Sequence, residues 1–187
     1  DRVAPTDSAV GTLAMVEPGT GYIRSIANSR QYGPSGEGRS QVNYAVDKAM
    51  GESNGIQAGS AFKPFVLAAA IRQGIPLNTT INAPQTLPMG GEKFEICWNG
   101  NSIYTTDRDY APKNSTGAGR FDLRTGTERS VNTFYVQLLQ RTGICEPATI
   151  AQESGIFKQV PDDPEGQPLD QVASFTLDPH TVSPLPR

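Results

Sequence analysis

A serine and a lysine three residues apart, Ser60 and Lys63, open an apolar, alanine-rich run that begins Gly59-Ser60-Ala61-Phe62-Lys63-Pro64-Phe65. On a helix, positions i and i+3 share a face with their Cβ atoms about 5–6 Å apart, so a hydroxyl there meets an amine that can take its proton. This is the minimum equipment for a serine nucleophile that works without histidine. A serine at a helix start also lies beside unpaired N–H groups and the positive end of the dipole, which favour a developing anion. Phe62 and Phe65 supply apolar surroundings that would desolvate Lys63 and lower its pKa, as a base lysine requires. The plainer alternative is a capping serine with a solvated lysine one turn on.

Seventy residues after Ser60 comes Ser130-Val131-Asn132. A hydroxyl at Ser130 could relay a proton between Lys63 and a leaving group, and the Asn132 amide could hold a substrate carbonyl. The same residue pair also serves commonly as a helix cap. Two other patterns compete. Gly51-Glu52-Ser53-Asn54-Gly55 has the G-x-S-x-G spacing of a nucleophile elbow, which needs a strand before it and a helix directly after. The segment ahead of it, Asn43 to Met50, reads as helical, and Gly55 to Gly59 reads as loop, so the elbow context is missing. The sole histidine, His180, lies in a proline-rich stretch and reads as a solvated loop residue. Arg124-Thr125-Gly126-Thr127 has the form of a K-T-G-T element but falls in the lead-in to a helix, where its expected role is structural. No Cys/His cluster has metal-ligand spacing and no phosphate loop is present, so neither metal nor cofactor is expected.

The elements that must position these groups can be read coarsely. Ser60 to Gln73 is the clearest helix, with Phe62, Phe65, Val66, Ala69 and Ala70 at helical spacing, Gly74 at its end and Pro76 beyond. Pro64 falls in the first turn, where its missing N–H costs little. Phe121 to Gln140 returns to helical periodicity, with Val131, Tyr135, Leu138 and Leu139 on one face. Asn43 to Met50 and Ile150 to Gly155 read as short helices. Residues 10–27 read as a hairpin turning at Glu17-Pro18-Gly19-Thr20-Gly21. Residues 29–41 are loop, 82–120 are a long polar stretch that hides short elements, 157–172 are rich in Pro and Asp, and Ala173 to Leu177 reads as a strand. Strands mixed with helices imply an α+β or α/β layer architecture.

The 187 residues suffice for one sizeable core, burying about 70% of the unfolded surface. Net charge is -3, and the lysines (Lys48, Lys63, Lys93, Lys113, Lys158) are scattered, which argues against a nucleic-acid partner. No stretch has the 18 or so apolar residues of a membrane helix. The chain starts at Asp1 without Met or a signal peptide and is expected to be a processed or excised piece. Cys97 and Cys145 either bridge, remain thiols or pair outside the chain; their spacing leaves this open.

On these motifs the chain resembles the transpeptidase domain of high-molecular-mass penicillin-binding proteins, most closely the class A, actinobacterial type. Gly59 to Phe65 is similar to the first motif of that family and Arg129-Ser130-Val131-Asn132-Thr133 to the second. Ala9 to Ala27 is similar to its opening hairpin. Ala173-Ser174-Phe175-Thr176-Leu177 and Val182-Ser183-Pro184-Leu185 are similar to a later segment, with Asp178-Pro179 where the family usually has glycine.

The resemblance implies a penicillin-binding protein/β-lactamase-like fold, an antiparallel sheet with flanking helices. It implies Ser60 as nucleophile on the D-Ala-D-Ala bond of peptidoglycan stem peptides, Lys63 as base, Ser130 as proton shuttle and Asn132 as binder of the acyl-side amide. β-Lactams would acylate Ser60, whose own N–H would form half of an oxyanion hole. It further implies work at the outer face of a bacterial cell membrane. No K-T-G or K-S-G follows Ser130. Residues 1–187 are therefore expected to be the N-terminal part of the domain, with an incomplete sheet, inactive alone and completed by a partner or continuing chain. The rival readings are a β-lactam sensor or inactive binding module, and a class A β-lactamase. Glu146, Glu153 and Glu165 do not fit the E-x-x-L-N-type loop that the lactamase needs.

Overall fold

The computed structural model describes residues 9–46, 48–53, 58–96, 102–154, 158–160 and 163–167. Two compact units divide the chain. One holds residues up to Ile56 together with Gln159–Glu165, and the other holds Gln57–Lys158 together with the residues from Gly166 on.

The first unit is built on an antiparallel hairpin, β1 (Thr12–Val16) and β2 (Ile23–Asn28), with Thr12 opposite Asn28 and a register shift at Met15/Val16. The turn between them is the one read from the sequence. Glu17 N–H donates to Tyr22 O at 2.9 Å, and the Glu17 carboxylate accepts from Thr20 Oγ1 and from Arg24. Leu13, Met15, Val16 and Ile23 are each more than half exposed, so the hairpin buries little of its own apolar surface. The loop predicted at 29–41 contains two short parallel strands, β3 (Gln31–Tyr32) and β4 (Arg39–Ser40). The helix predicted over Asn43–Met50 shrinks to a single turn, α1 (Lys48–Gly51). Asn43 spends its side chain on the Ala45 N–H, which favours a turn over continued helix.

The second unit carries the candidate chemistry. A 3₁₀ turn, Gly59–Phe62, runs into α2 (Lys63–Arg72), so the single helix expected over Ser60–Gln73 has two parts. The polar stretch after it holds β5 (Ile81–Ala83), β6 (Lys93–Ile96), β7 (Ser102–Thr105) and β8 (Gly119–Phe121). β5 pairs with β8 and β6 with β7, all antiparallel. The helical stretch expected from Phe121 onwards is interrupted. Helix α3 (Leu123–Glu128) starts at a capping box between Asp122 and Thr125, and α4 (Asn132–Thr142) starts afresh after Ser130, whose φ is 51°. Helix α5 (Cys145–Glu153) begins earlier than the Ile150 read from the sequence.

Phe134, Leu123, Leu138 and Val131 are fully buried, joined by Phe62, Val66 and Phe121 from the other elements of the unit. α2 packs on α4 and α5, and Arg72 at its end pairs with Glu146 and Glu153 of α5. Gly126 of the T-G-T run is a packing glycine, since a Cβ there would lie 2.7 Å from the Phe134 ring. Further along, β9 (Lys158–Val160) and β10 (Asp163–Gln167) form a two-stranded sheet. Among the described residues every sheet is two-stranded, an α+β arrangement with small sheets and flanking helices. Cys145 is held in a disulfide; Cys97 lies outside the described residues, as do Ala173–Leu177, His180 and Val182–Leu185.

Candidate active site

Ser60 lies on the 3₁₀ turn, a geometry that eclipses side chains three apart and turns Ser60 and Lys63 the same way. Lys63 N–H closes that turn onto Ser60 O. Gly59 enters it at φ +53°, a backbone conformation that a side chain resists, with open space where a Cβ would stand. Ser60 is not a cap. The residue ahead of the turn is Ala58, and α2 has no side-chain cap. The Ser60 hydroxyl is exposed and accepts a hydrogen bond from Ser130 Oγ at 3.1 Å.

Ser130 reaches Ser60 because of the break between α3 and α4. Its N–H donates to Thr127 O at 2.9 Å and Val131 N–H to Gly126 O at 3.0 Å, a tight turn that forces Ser130 into the left-handed region. For a serine such a conformation costs about 1–3 kcal/mol, and strain of this kind concentrates at functional sites. Ser130 and Asn132 are not caps either. The residue that precedes α4 is Val131, whose side chain makes no capping hydrogen bond.

Lys63 joins the four residues. Its Nζ donates to Ser130 O at 2.8 Å, Ser130 Oγ at 2.9 Å and Asn132 Oδ1 at 2.6 Å. Those three bonds use every proton of an ammonium. Among the described residues none of its acceptors is Ser60, so the amine reaches the exposed serine only through Ser130. Asn132 Nδ2 donates one hydrogen to Lys113 O at 2.8 Å, which leaves its second hydrogen for a ligand. Lys63 is half-buried, and burial pushes its pKa down to about 8. The neutral amine is therefore roughly a tenth of the population at pH 7, against less than a thousandth for a solvated lysine.

The aromatic ring over Nζ is that of Tyr135, centroid 5.4 Å away. Its hydroxyl shares a 2.6 Å hydrogen bond with Thr127 Oγ1, and burial holds its pKa up. Sequence reasoning places Tyr135 on the core face without giving it a site role. Its position one helical turn after Asn132 was the available signal. The Lys113 carbonyl carried none, being a backbone group from a distant strand bridge with Thr86.

The competing patterns take other places. The element leading into Ser53, which is buried, is the helical turn α1 ending at Gly51 and not a strand; Asn54 and Gly55 lie outside the described residues. Arg124–Thr127 lies within α3, where Thr125 completes the capping box. Glu146 and Glu153 are engaged by Arg72.

Residues 11–156 match the family described as the penicillin binding protein transpeptidase domain. Penicillin-binding protein 1A of Neisseria flavescens is 31% identical over 137 residues, covering 72% of this chain and 14% of that protein. The protein of the same name from Aquifex aeolicus (strain VF5) is 32% identical over 138 residues, covering 71% of this chain and 15% of the relative. The fold is also that of penicillin-binding protein A from M. tuberculosis, solved as a ceftriaxone acyl-enzyme complex. The TM-score is 0.57 at 22% identity, over 87% of this chain and 36% of that one. The chain thus spans 14 to 15% of the length of these curated relatives. Among the described residues no helix is long and apolar enough to cross a membrane. By the match over residues 11–156, which takes in both serine motifs, the chain belongs to the penicillin-binding protein transpeptidase family.

Proposed function

We propose that this chain carries the nucleophile and proton-transfer groups of a serine D,D-transpeptidase that cross-links peptidoglycan stem peptides. The observation that carries the reading is the unbroken path Ser60 Oγ–Ser130 Oγ–Lys63 Nζ, with links of 3.1 and 2.9 Å. When Lys63 is neutral the hydroxyls reverse, so that Ser60 donates to Ser130 and Ser130 to Nζ. Ser60 Oγ then attacks the carbonyl carbon of the D-Ala-D-Ala bond. Its proton moves to Ser130 as the Ser130 proton moves to Lys63. Collapse of the adduct breaks the C–N bond, and the departing nitrogen takes a proton from Ser130, which recovers one from Lys63. The terminal D-Ala leaves as an amine, and the acyl group stays on Ser60 as an ester. An amine of a neighbouring strand attacks the ester, and the proton steps run in reverse.

Asn132 Nδ2 offers its free hydrogen to the acyl-side amide, and Ser60 N–H donates to the oxyanion. A β-lactam opens by the same steps, but its nitrogen stays tethered and the ester persists. In this reading residues 1–187 are the N-terminal part of the domain. The K-T-G segment, which would bind the substrate carboxylate, is supplied from elsewhere in the protein, and without it the chain is inactive. The site faces the outside of the bacterial cell membrane.

The test is intact-mass measurement of the natural full-length protein after benzylpenicillin. One adduct is expected, absent from Ser60→Ala. An adduct that survives Ser60→Ala, or no adduct on the unsubstituted protein, contradicts the reading.

A further inference from the structure

Asn132 can face Lys63 with either end of its amide, and only Oδ1 can accept from an ammonium. The choice is made by the Lys113 carbonyl on the other end, 2.8 Å from Nδ2. Reversing the amide would set Nδ2 against the Lys63 donors and Oδ1 against a carbonyl oxygen, two repulsive contacts at once. Whatever holds the Lys113 carbonyl in place therefore holds Asn132.

That support is the next residue. Asn114 is 5% exposed and all of its polar atoms are engaged. Its N–H donates to Gln85 O at 3.0 Å, and Gln85 Nε2 donates to its carbonyl. The two Nδ2 hydrogens are shared among Pro84 O at 2.9 Å, Gly117 O at 3.0 Å and Thr133 Oγ1 at 2.8 Å. Its Oδ1 accepts from Thr133 N–H at 2.8 Å, one of the donors in the first turn of α4 that the helix itself cannot satisfy. The hydroxyl of Thr133, fully buried, donates a hydrogen bond to Pro84 O at 2.7 Å. One side chain thus ties the segment around Lys113 to the helix start that presents Asn132.

We propose that Asn114 is a positioning residue of this site: it holds the Lys113 carbonyl on Asn132 Nδ2 and so fixes the amide with Oδ1 toward Lys63. The inference rests on the reading above, in which Lys63 is the base and Asn132 holds the acyl-side amide. The groups that face Lys63 are few. Ser60 comes from the 3₁₀ turn, Ser130 from the turn after α3, and Asn132 and Tyr135 from α4. The carboxylates on the packed helices are taken elsewhere, Glu146 and Glu153 by Arg72 and Glu128 by Arg124. Lys113 itself is exposed. Among the described residues no carboxylate pairs with Lys63, so loss of Oδ1 has nothing to mask it.

The test is competitive labelling of Lys63 with acetic anhydride across pH, read by peptide mass spectrometry on the natural full-length protein. It gives the titration midpoint without needing activity. In Asn114→Ala the midpoint is expected to fall by about one unit, because the ammonium loses an acceptor worth a strong charged hydrogen bond. Thr133→Val, which removes the hydroxyl's two links, to Asn114 and to Pro84, and adds no charge, is expected to lower it by about half as much, and Thr133→Ser to leave it unchanged. Thr133→Val also serves where Asn114→Ala does not fold. A midpoint that stays in place in the Asn114 and Thr133→Val proteins, whatever their melting temperatures, overturns the role of Asn114. Absence of a benzylpenicillin adduct on the unsubstituted protein instead overturns the reading of Ser60, so the two failures are separable.

Discussion

Two serines meet at this site, and the turns that carry them are built differently. The Ser60 turn puts its left-handed residue at Gly59, where the conformation is relaxed, and leaves the hydroxyl exposed with Ser130 as its partner. The Ser130 turn puts the left-handed conformation on the serine itself. That hydroxyl is half-buried between Lys63 and Ser60, and two backbone bonds hold the turn around it. The proposed nucleophile is thus accessible and cheaply held, while the proposed relay is strained and braced. This is the division expected where one group must meet substrate and the other must keep its place between two partners.

Substitutions at the two turns separate these roles, the largest effect coming first. Ser60→Ala removes all β-lactam labelling with the melting temperature nearly unchanged, since an exposed hydroxyl contributes little to stability. Ser130→Ala and Ser130→Gly both lower the second-order acylation rate, by roughly 10²–10⁴, the usual loss of a positioned proton-transfer group. Between those two, the glycine protein is the more stable by about 1 kcal/mol in chemical denaturation, because it alone relaxes the left-handed residue. Gly59→Ala runs the other way and costs about 1 kcal/mol of stability, with open space and therefore no clash at the new Cβ. Equal stabilities for the Ser130→Ala and Ser130→Gly proteins would show that the turn is not strained. A Gly59→Ala protein as stable as the parent would erase the contrast from the other side.

The sequence made parts of this legible and hid others for physical reasons. The opening hairpin is local, read from two apolar, strand-like runs flanking a glycine-rich turn, and it forms with its turn where expected. The grouping of Ser60, Lys63, Ser130 and Asn132 followed from the motifs and their resemblance to a family, and the hydrogen bonds bring the four together. The helix break before Ser130 was not visible. The apolar residues that carry the periodicity, Val131, Tyr135, Leu138 and Leu139, all lie beyond it, and apolar spacing does not register the Asp122–Thr125 capping box or the left-handed turn at Ser130. Asn114 was invisible for another reason. Its partners Pro84 and Gly117 lie in a stretch that reads only as polar loop, and tertiary pairing brings that stretch to Thr133 of α4. The brief helix at Lys48–Gly51 shows the opposite error, helical composition overridden by a side chain that bonds its own turn.

The central claim is that a neutral Lys63 draws the Ser60 proton through Ser130. Burial lowers the Lys63 pKa to about 8, so the neutral base becomes more abundant as pH rises through that value. The measurement is the second-order rate of benzylpenicillin acylation of the natural full-length protein between pH 6 and 10. The account predicts a rate that climbs about tenfold per unit at the acid end and levels above pH 8. A rate that stays flat or falls across that range contradicts it.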